Sequence, residues 1–340
     1  MRAFSLFSGA GGMDLGFEQA GFIVDFRLDS DRDCCDTLHR NFRCGDTVAC
    51  ADAGGVSFSV EDCDLVRVSG HGDHIFLPRP DVVFGGAPCQ AFSVAGRQDP
   101  DDPRATLVGQ FVRIVSESFP DMFVLENVPA LLRSMKPHAV AARDLLFGLP
   151  QSRERVFFFG ARIPCCIPTI SSIMAHSSSP RTAGAVLKEI GAGGRGEVPR
   201  TKVVPARNPI LRRSPYGGML FNGRGRPVNR DSASGTLPAS MGGNRTPIID
   251  DNELYEGGRA WVADYHSRLM DGAQPAKDAP PCLRRMTAVE AAAFQGFPRD
   301  FSFCGKQSSV YRQIGNAVPP PMARAVALAM KAVLEHNGAP

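Results

Sequence analysis

Two segments of the chain carry side chains that could act as a nucleophile and as an acid. Cys89 follows the apolar run 81–86 within an Ala-Pro-Cys-Gln sequence, and Glu126 follows the apolar run 123–125 thirty-seven positions later. Both runs are typical of buried strands, and open α/β sheets bind ligands beyond the carboxyl ends of their strands. We therefore expect a thiol and a carboxylic acid to face one crevice, which favours an enzyme.

A glycine-rich turn near the N-terminus indicates a cofactor. The apolar run 4–7 leads into Ser-Gly-Ala-Gly-Gly at 8–12, and glycines let a backbone approach a ligand closely. The turn lacks the Gly-Lys-Ser/Thr sequence of phosphate-binding loops, so it gives little support for a phosphate-binding role. Asp29 ends the next apolar run, where acidic residues bind ribose hydroxyls.

Five short blocks occur in a fixed order along the chain. They are Phe7-Ser-Gly-Ala-Gly-Gly, Pro88-Cys-Gln-Ala-Phe-Ser, Glu126-Asn-Val, Gln151-Ser-Arg-Glu-Arg and Gln313-Ile-Gly-Asn-Ala-Val-Pro-Pro. In this order they resemble the DNA (cytosine-5)-methyltransferases, from residue 4 to about residue 330. The resemblance implies S-adenosylmethionine as cofactor, double-stranded DNA as substrate and C5 of a flipped cytosine as the methyl acceptor.

The resemblance also implies a role for individual residues. Cys89 would add to C6 of cytosine, Glu126 would stabilise the charge at N3, and Arg155, with Arg153 beside it, would contact the base carbonyl and Glu126. Residues expected at the cofactor are Phe7, Gly9, Gly11, Gly12, Asp29, Asp52, Pro88, Leu107, Asn316 and Val318. Residues expected at DNA are Gln90, Ser93, Arg104, Arg224, Arg226 and Thr236, and no metal is expected.

Each of these residues has a structural alternative. Cys89 could be a buried thiol at a proline turn, Glu126 an acid at a helix N-terminus, and Asn316 the N-cap of the last helix. Arg104 could be an ordinary surface arginine. Cys44, Cys50 and Cys63 with His39, His71 and His74 could form a metal site, although the paired C-x-x-C spacing of structural zinc sites is absent.

Positive charge is concentrated in one segment. Between Arg162 and Arg230 there are twelve Lys or Arg residues and two acids, Glu189 and Glu197, whereas the whole chain carries +3. This segment is rich in Gly, Pro and Ser and separates the catalytic blocks. A solvated basic surface is one interpretation, and a DNA-binding insertion is the one we favour.

The elements that must position these residues alternate between strand and helix. Strands are expected at 4–7, 23–28, 81–84, 122–125 and 155–160, a short third strand before Asp52, and helices at 14–20, 34–42, 107–118, 287–295 and 321–335. This order predicts an α/β fold with a doubly wound, mostly parallel sheet and a second, smaller, loop-rich domain. We assign 1–163 plus 284–340 to the cofactor-binding catalytic domain and 164–283 to target recognition. The segment 53–80 is expected to be a variable excursion.

One interval departs from the family pattern. Only 25 positions separate Glu126 from Gln151, and only 139–146 could supply a helix or a strand there. Either the helix is shortened to a turn or two, or one strand of the sheet is lost, which could displace Arg155. A DNA-binding relative without catalysis is therefore one alternative, and an RNA (tRNA) cytosine-5 methyltransferase is another.

Bulk properties agree with a globular enzyme. The chain has 340 residues, of which 43% are apolar and 21% charged, and no apolar run approaches the roughly 18 residues of a membrane span. No signal peptide pattern opens the sequence. We expect a cytoplasmic monomer that acts on DNA, with a cognate restriction endonuclease as a system partner.

Overall fold

The structure is a computed structural model that describes residues 1–43, 47–62, 64–70, 73–88, 106–133, 139–143, 146–163 and 167–337. The strands are β1 Arg2–Leu6, β2 Ile23–Asp29, β3 Thr47–Cys50, β4 Val56–Asp62, β5 Leu65–Gly70, β6 Asp73–Pro78, β7 Val82–Gly85, β8 Met122–Asn127, β9 Ala139–Arg143, β10 Gln151–Ser152, β11 Glu154–Ala161, β12 Pro205–Ile210, β13 Met219–Phe221, β14 Ser234–Gly235, β15 Ile248–Asp250 and β16 Leu283–Arg285. The helices are α1 Gly12–Gln19, α2 Arg32–Asn41, α3 Thr106–Ser118, α4 Ile170–Met174, α5 Ala183–Gly194, α6 Trp261–Met270, α7 Ala288–Phe294, α8 Gln307–Asn316 and α9 Pro320–Asn337.

A seven-stranded sheet forms the centre of the molecule. Its strand order is β3-β2-β1-β7-β8-β11-β9, and β3 to β8 are parallel while β11 is antiparallel to both of its neighbours. The expected doubly wound, mostly parallel sheet is confirmed. The direction of winding reverses between β1 and β7, and ligands of such sheets bind where the order reverses.

The middle strands of the sheet are buried on both faces, which explains why β7 and the centre of β11 are continuous apolar runs. Along β7, Val82 and Phe84 join a core with α1 and α9, whereas Val83 between them joins a core with α3. Helices α1 and α9 approach very closely because Gly16 has no side chain: a Cβ there would lie 2.5 Å from the Cβ of Ala323. The N- and C-terminal parts of the chain therefore share one core.

The short interval after Glu126 keeps its strand. A 3-10 turn at Pro129–Arg133 stands where a longer helix was expected, and β9 pairs with β11 at the edge of the sheet. Of the two alternatives, the shortened helix is the one observed. Strand β11 consequently stays between β8 and β9 and carries Arg155 to the end of β8.

The segment after Asp52 was not recognised correctly from the sequence. It was expected only as a variable excursion, but it forms a three-stranded antiparallel sheet, β4-β5-β6. Val56 and Phe58 alternate with serines and are buried against the core on the α3 side. This period of two was the available signal. Helix α8 was also missed, because the Gln-Ile-Gly-Asn block was assigned to a pocket rather than to an element.

Two further apolar clusters lie in the second half of the chain. Helix α5 packs with α7 and α8, while Val203, Leu220, Tyr265 and Leu283 belong to a separate cluster. We propose that this separate cluster is the core of the smaller domain. Helix α7, expected at 287–295, begins with a capping box, since Thr287 and Glu290 exchange side-chain-to-backbone hydrogen bonds.

In the part of the chain that the structure describes, the stretch Gln307–His336 is long and apolar enough to span a membrane. However, 61% of its most apolar window is buried within the protein. Helix α9, which makes up most of this stretch, packs against α1 in the core of the catalytic sheet.

Candidate active site

A cavity of about 460 Å³ opens at the carboxyl ends of β1, β2, β7 and β8, where the winding of the sheet reverses. It collects residues that are far apart in the sequence. Ten of the residues singled out from the sequence line it: Phe7, Gly9, Asp29, Asp52, Pro88, Leu107, Glu126, Arg155, Asn316 and Val318.

The turn after β1 forms one wall of the cavity. Gly9 has a φ of 55°, and no atom lies within 4 Å of the position that a Cβ would occupy. Phe7 also has a φ of 55°, a conformation that is strained for a residue with a side chain and is concentrated at functional sites. The Gly9 N–H donates to Oδ2 of Asp29 across 2.8 Å, which joins the turn to the end of β2.

Gly11 and Gly12 have a different role from the one expected. A Cβ on Gly11 would lie 2.4 Å from the ring of Phe42, and a Cβ on Gly12 would lie 2.3 Å from the carbonyl oxygen of Val318. Neither glycine is among the residues that line the cavity. We expected both glycines to make room for the ligand, and this expectation is corrected. They instead make room for the ring of Phe42 and the carbonyl oxygen of Val318.

Asp29 points its carboxylate toward the cavity from the end of β2. Besides Gly9, the backbone N–H of Asp31 donates to it across 2.8 Å. Burial raises the pKa of Asp29, and these two donors oppose the shift. The backbone N–H of Ser30 also acts on this carboxylate, which accepts up to about four hydrogen bonds, so acceptor capacity remains for a hydroxyl of a ribose.

A buried ion pair under the cavity was missed in the sequence. Asp14 on α1 is fully buried, lines the cavity, and lies 3.0 Å from Nε of Arg27 on β2. Arg27 also contacts Glu18 at 2.5 Å and lies over the ring of Phe42. The signal was Arg27 between the apolar residues Phe26 and Leu28 of β2. Burial raises the pKa of Asp14 to about 6, although Arg27 opposes the shift.

Asp14 makes stability depend on pH. Its pKa is 3.8 in an unfolded chain and about 6 in the fold, so its protonated form is favoured by folding. The stabilisation is complete below pH 4 and is lost as the pH rises through 6, a difference of about 3 kcal/mol. We expect urea unfolding to show that the stability of the wild type relative to Asp14→Asn falls by about this amount between pH 4 and 7. Parallel pH profiles for the two proteins would contradict the assignment.

The predicted acid, Glu126, is paired with the predicted arginine. Nε of Arg155 lies 2.7 Å from Oε1 of Glu126, and the glutamate is 8% exposed. Burial raises the pKa of Glu126, while Arg155 and Arg153 act to lower it. Gly86 leaves the necessary space, because a Cβ there would lie 2.9 Å from Oε2 of Glu126.

Asn127 anchors Ala87, which lies just beyond the end of β7. Its Nδ2 donates to the carbonyl oxygen of Ala87 across 3.1 Å, and its Oδ1 accepts from the N–H of Val128. Pro88 lines the cavity, and Cys89 is bonded to it. Cys89 itself lies outside the described residues, as do Gln90, Ser93 and Arg104. Asn127 follows the predicted acid directly, and its type alone did not reveal this anchoring role.

Arg153 does not line the cavity, and its expected catalytic role is corrected. The buried guanidinium donates to the carbonyl oxygens of Leu237, Gly315, Asn316 and Ala317 at 2.9–3.4 Å. Arg153 thus holds the turn that carries Asn316 and Val318. Asn316 is the last residue of α8, so the alternative of an N-cap is wrong.

The residues predicted at DNA that the structure describes are exposed. Arg224 and Arg226 lie between β13 and β14, and neither is buried. The Thr236 hydroxyl donates to the carbonyl oxygen of Ser152 across 2.9 Å, which ties the block after β14 to β10. Arg245, which the sequence did not single out, is also exposed, on the loop bonded to Gly225 through Asn244.

A metal centre is not assembled in the described ranges. No group of three His, Cys, Asp or Glu side chains there is placed to hold an ion. Cys44, Cys63 and His71, which belonged to the metal alternative, lie outside those ranges.

Comparison with known proteins identifies the family. A model of C-5 cytosine-specific DNA methylases matches residues 1–143 and 229–332. The chain is 31% identical to the Type II methyltransferase M1.HphI of Haemophilus parahaemolyticus, over 98% of this chain and 86% of that protein. It is 30% identical to the Type II methyltransferase M.MthTI of Methanothermobacter thermautotrophicus, over 97% of each.

Solved structures share the fold at low sequence identity. The structure of the S. pombe Dnmt2 methyltransferase covers 100% of both chains with a TM-score of 0.62 at 17% identity. The Entamoeba histolytica methyltransferase EhMeth covers 100% of this chain and 99% of its own, also with a TM-score of 0.62, at 16% identity. Together with the cavity and its residues, the matches show that the chain belongs to the C-5 cytosine-specific DNA methylases, enzymes that use S-adenosylmethionine as methyl donor.

Proposed function

We propose that this protein methylates C5 of a cytosine within a specific sequence of duplex DNA, through a covalent bond between Cys89 and C6. The observation that carries the proposal is the Glu126–Arg155 pair. It lies in the wall of a cavity that also includes Pro88, the residue bonded to Cys89. A cytosine placed there would meet a thiol, a carboxyl group and a guanidinium.

The residues around the base explain how an unreactive carbon becomes a nucleophile. The Cys89 thiolate forms a bond to C6, and the negative charge that develops on the ring is stabilised at N3 by the protonated Glu126. Arg155 fixes the Glu126 carboxyl at 2.7 Å and offers its remaining N–H groups to the base carbonyl. When bound, S-adenosylmethionine supplies the methyl group. A water then removes the C5 proton, and the Cys89–C6 bond breaks to regenerate the thiolate and the double bond.

The other half of the cavity fits the nucleoside of the methyl donor. Gly9 provides open space where a side chain would stand, and Asp29 presents a carboxylate with unused acceptor capacity. We propose that Asp29 binds the ribose hydroxyls, that Phe7 packs against the adenine and that Asp52 accepts from its amino group. Asn316 and Val318 close the cavity from the opposite side.

Duplex DNA hides C5 and C6 within the base stack, so the target base must be flipped into the cavity. We propose that the basic segment holds the duplex while this happens. Among its exposed arginines, we single out five as candidates for DNA contact: Arg207, Arg212, Arg213, Arg224 and Arg226. We propose that the protein is a cytoplasmic monomer that acts beside a cognate restriction endonuclease, and the Type II names of the relatives support such a partner.

The direct test is a methyl-transfer assay with radiolabelled S-adenosylmethionine on duplex DNA and on tRNA in parallel, followed by bisulfite sequencing of DNA from expressing cells. We expect label in DNA and 5-methylcytosine at one short sequence. Label in tRNA alone would replace the proposal with RNA methylation, and no label in either would replace it with DNA binding without catalysis.

The basic segment between Arg162 and Arg230 leads to a separate prediction for DNA binding. We expect DNA affinity to fall steeply with salt, by a slope of about −0.9 for each phosphate neutralised. Replacing Arg207, Arg212, Arg213, Arg224 or Arg226 singly by alanine should either reduce the slope by roughly one or relax specificity at one base pair by ~1–3 kcal/mol. Fluorescence anisotropy at several salt concentrations distinguishes these outcomes.

The matched control for these variants is Arg40→Ala, which removes an exposed arginine from α2. Its slope and specificity should equal those of the wild type. If all five arginine variants behave like Arg40→Ala, the recognition surface lies elsewhere.

A further inference from the structure

The backbone around Arg153 joins two parts of the molecule that bind different ligands. One is the block 234–239, which borders the proposed DNA-reading surface. The other is the turn 315–318, whose Asn316, Ala317 and Val318 line the cofactor cavity. Arg153 donates to a carbonyl oxygen in each: Leu237 in the first and Gly315, Asn316 and Ala317 in the second.

The first of these connections is reinforced next to Arg153. Strand β10 pairs with β14, and the Ser234 N–H donates to the carbonyl oxygen of Pro150 across 2.7 Å. Oε1 of Gln151 accepts from the Leu237 N–H, while its Nε2 donates to Oε1 of Gln295. The segment 150–153 and the block 234–237 therefore move as one unit.

The block 237–239 also contacts the cofactor turn directly. A Cβ on Gly315 would lie 2.6 Å from Cα of Ala239 and 2.7 Å from the carbonyl carbon of Pro238. Backbone packed this closely on backbone cannot shift without moving its neighbour. Any displacement of 237–239 is therefore transmitted to the turn that closes the cofactor cavity.

We propose that Arg153 is a positioning residue that couples DNA binding to cofactor binding. The proposal rests on the proposed function. DNA bound against the block 234–239 restricts the motion of this block. Through its hydrogen bonds, Arg153 restricts the motion of the turn 315–318 as well. The cofactor then meets a turn that is already ordered, and its affinity rises. By thermodynamic reciprocity, the cofactor raises the affinity for DNA by the same factor.

The test is the coupling factor, defined as the ratio of the Kd values for S-adenosylhomocysteine measured without and with saturating duplex. S-Adenosylhomocysteine prevents turnover during the titration. We expect a factor of roughly ten in the wild type, within the usual range for coupled sites. In Arg153→Lys, which keeps the positive charge beside Glu126 but cannot reach four carbonyl oxygens, we expect a factor near one.

The matched control is Arg285→Lys. Arg285 is also a buried arginine that donates to backbone carbonyl oxygens, those of Asn244 and Thr246, but it does not contact the turn 315–318. We expect this variant to lose DNA affinity while it keeps the coupling factor of the wild type. A merely structural role of Arg153 would predict equal loss of coupling in both variants, and that result would overturn the proposal.

Kinetics give an independent measurement. At saturating DNA, Arg153→Lys should raise the KM for S-adenosylmethionine about as many fold as its coupling factor falls, with kcat little changed. A loss of kcat at unchanged KM would overturn the coupling role. If Arg153→Lys does not fold, hydrogen exchange of the wild type replaces it: DNA alone should slow exchange in 315–322, and unchanged exchange there would overturn the proposal.

The outcome separates this inference from the proposed function. An active wild type with a coupling factor of one would overturn the role of Arg153 alone. A wild type that binds both ligands with coupling but transfers no methyl group would overturn the proposed function alone.

Discussion

Cys89→Ser is expected to abolish methyl transfer while DNA binding is retained. A hydroxyl is nearly isosteric with a thiol but is a far weaker nucleophile at neutral pH, so the bond to C6 should not form. Loss of a covalent nucleophile typically costs on the order of 10⁴- to 10⁶-fold in kcat. A single-turnover assay with radiolabelled S-adenosylmethionine measures the loss, and an electrophoretic shift assay measures DNA binding.

The control for this variant is Cys282→Ser. Burial raises the pKa of the Cys282 thiol to about 11, so it stays protonated, and it lies away from the cavity. With duplex containing 5-fluorocytosine, the wild type and Cys282→Ser should form a covalent complex that survives denaturation, because the fluorine cannot leave as a proton does. Near-normal turnover by Cys89→Ser, or no covalent complex with the wild type, would remove Cys89 from the mechanism.

Glu126→Gln is expected to lower kcat by about 10²- to 10⁴-fold, the usual contribution of a positioned acid. The proposed chemistry needs the protonated carboxyl, and burial keeps its pKa above the ordinary value. Activity should therefore fall as the pH rises through the raised pKa of Glu126. We expect the pH–rate profile of the wild type to show this fall in activity, and the profile of Glu126→Gln to lack it.

Arg155→Met is a second test of the titration of Glu126, because it removes the arginine that is paired with this carboxyl group. Arg155 is the largest influence that lowers the pKa of Glu126, so its removal should raise this pKa further. The fall in activity should then occur at a higher pH, although the variant is slower than the wild type at every pH. If activity falls at the same pH in Arg155→Met as in the wild type, or still falls in Glu126→Gln, another group is titrating.

The sequence allowed the central sheet to be predicted because its middle strands are buried on both faces. Runs such as Val82–Gly85 and 156–159 are continuously apolar, and their short length favours a buried strand over a helix. The antiparallel sheet β4-β5-β6 was missed because its exposed face also carries apolar side chains. Phe76 and Leu65 on the outer side are exposed, which obscured the alternation.

Positions in the site were predictable where the residue type is demanded by the chemistry, as for Glu126, Arg155 and Asp29. They were not predictable where a residue acts through the backbone of another segment. Gly11 and Gly12 looked like ligand contacts but make room for Phe42 and Val318, and Arg153 looked catalytic but binds backbone carbonyl oxygens. Such partners are set by tertiary packing, and nothing in the local pattern encodes them.

The close packing of α1 on α9 constrains when the enzyme can become active during its synthesis. The ribosome makes α1 some three hundred residues before it makes α9, and the turn with Asn316 and Val318 emerges only shortly before α9. Domains fold as units once their chain is available. A nascent chain without α8 and α9 therefore lacks both one face of its core and one wall of its cofactor cavity, so methyl transfer must await the synthesis of α9.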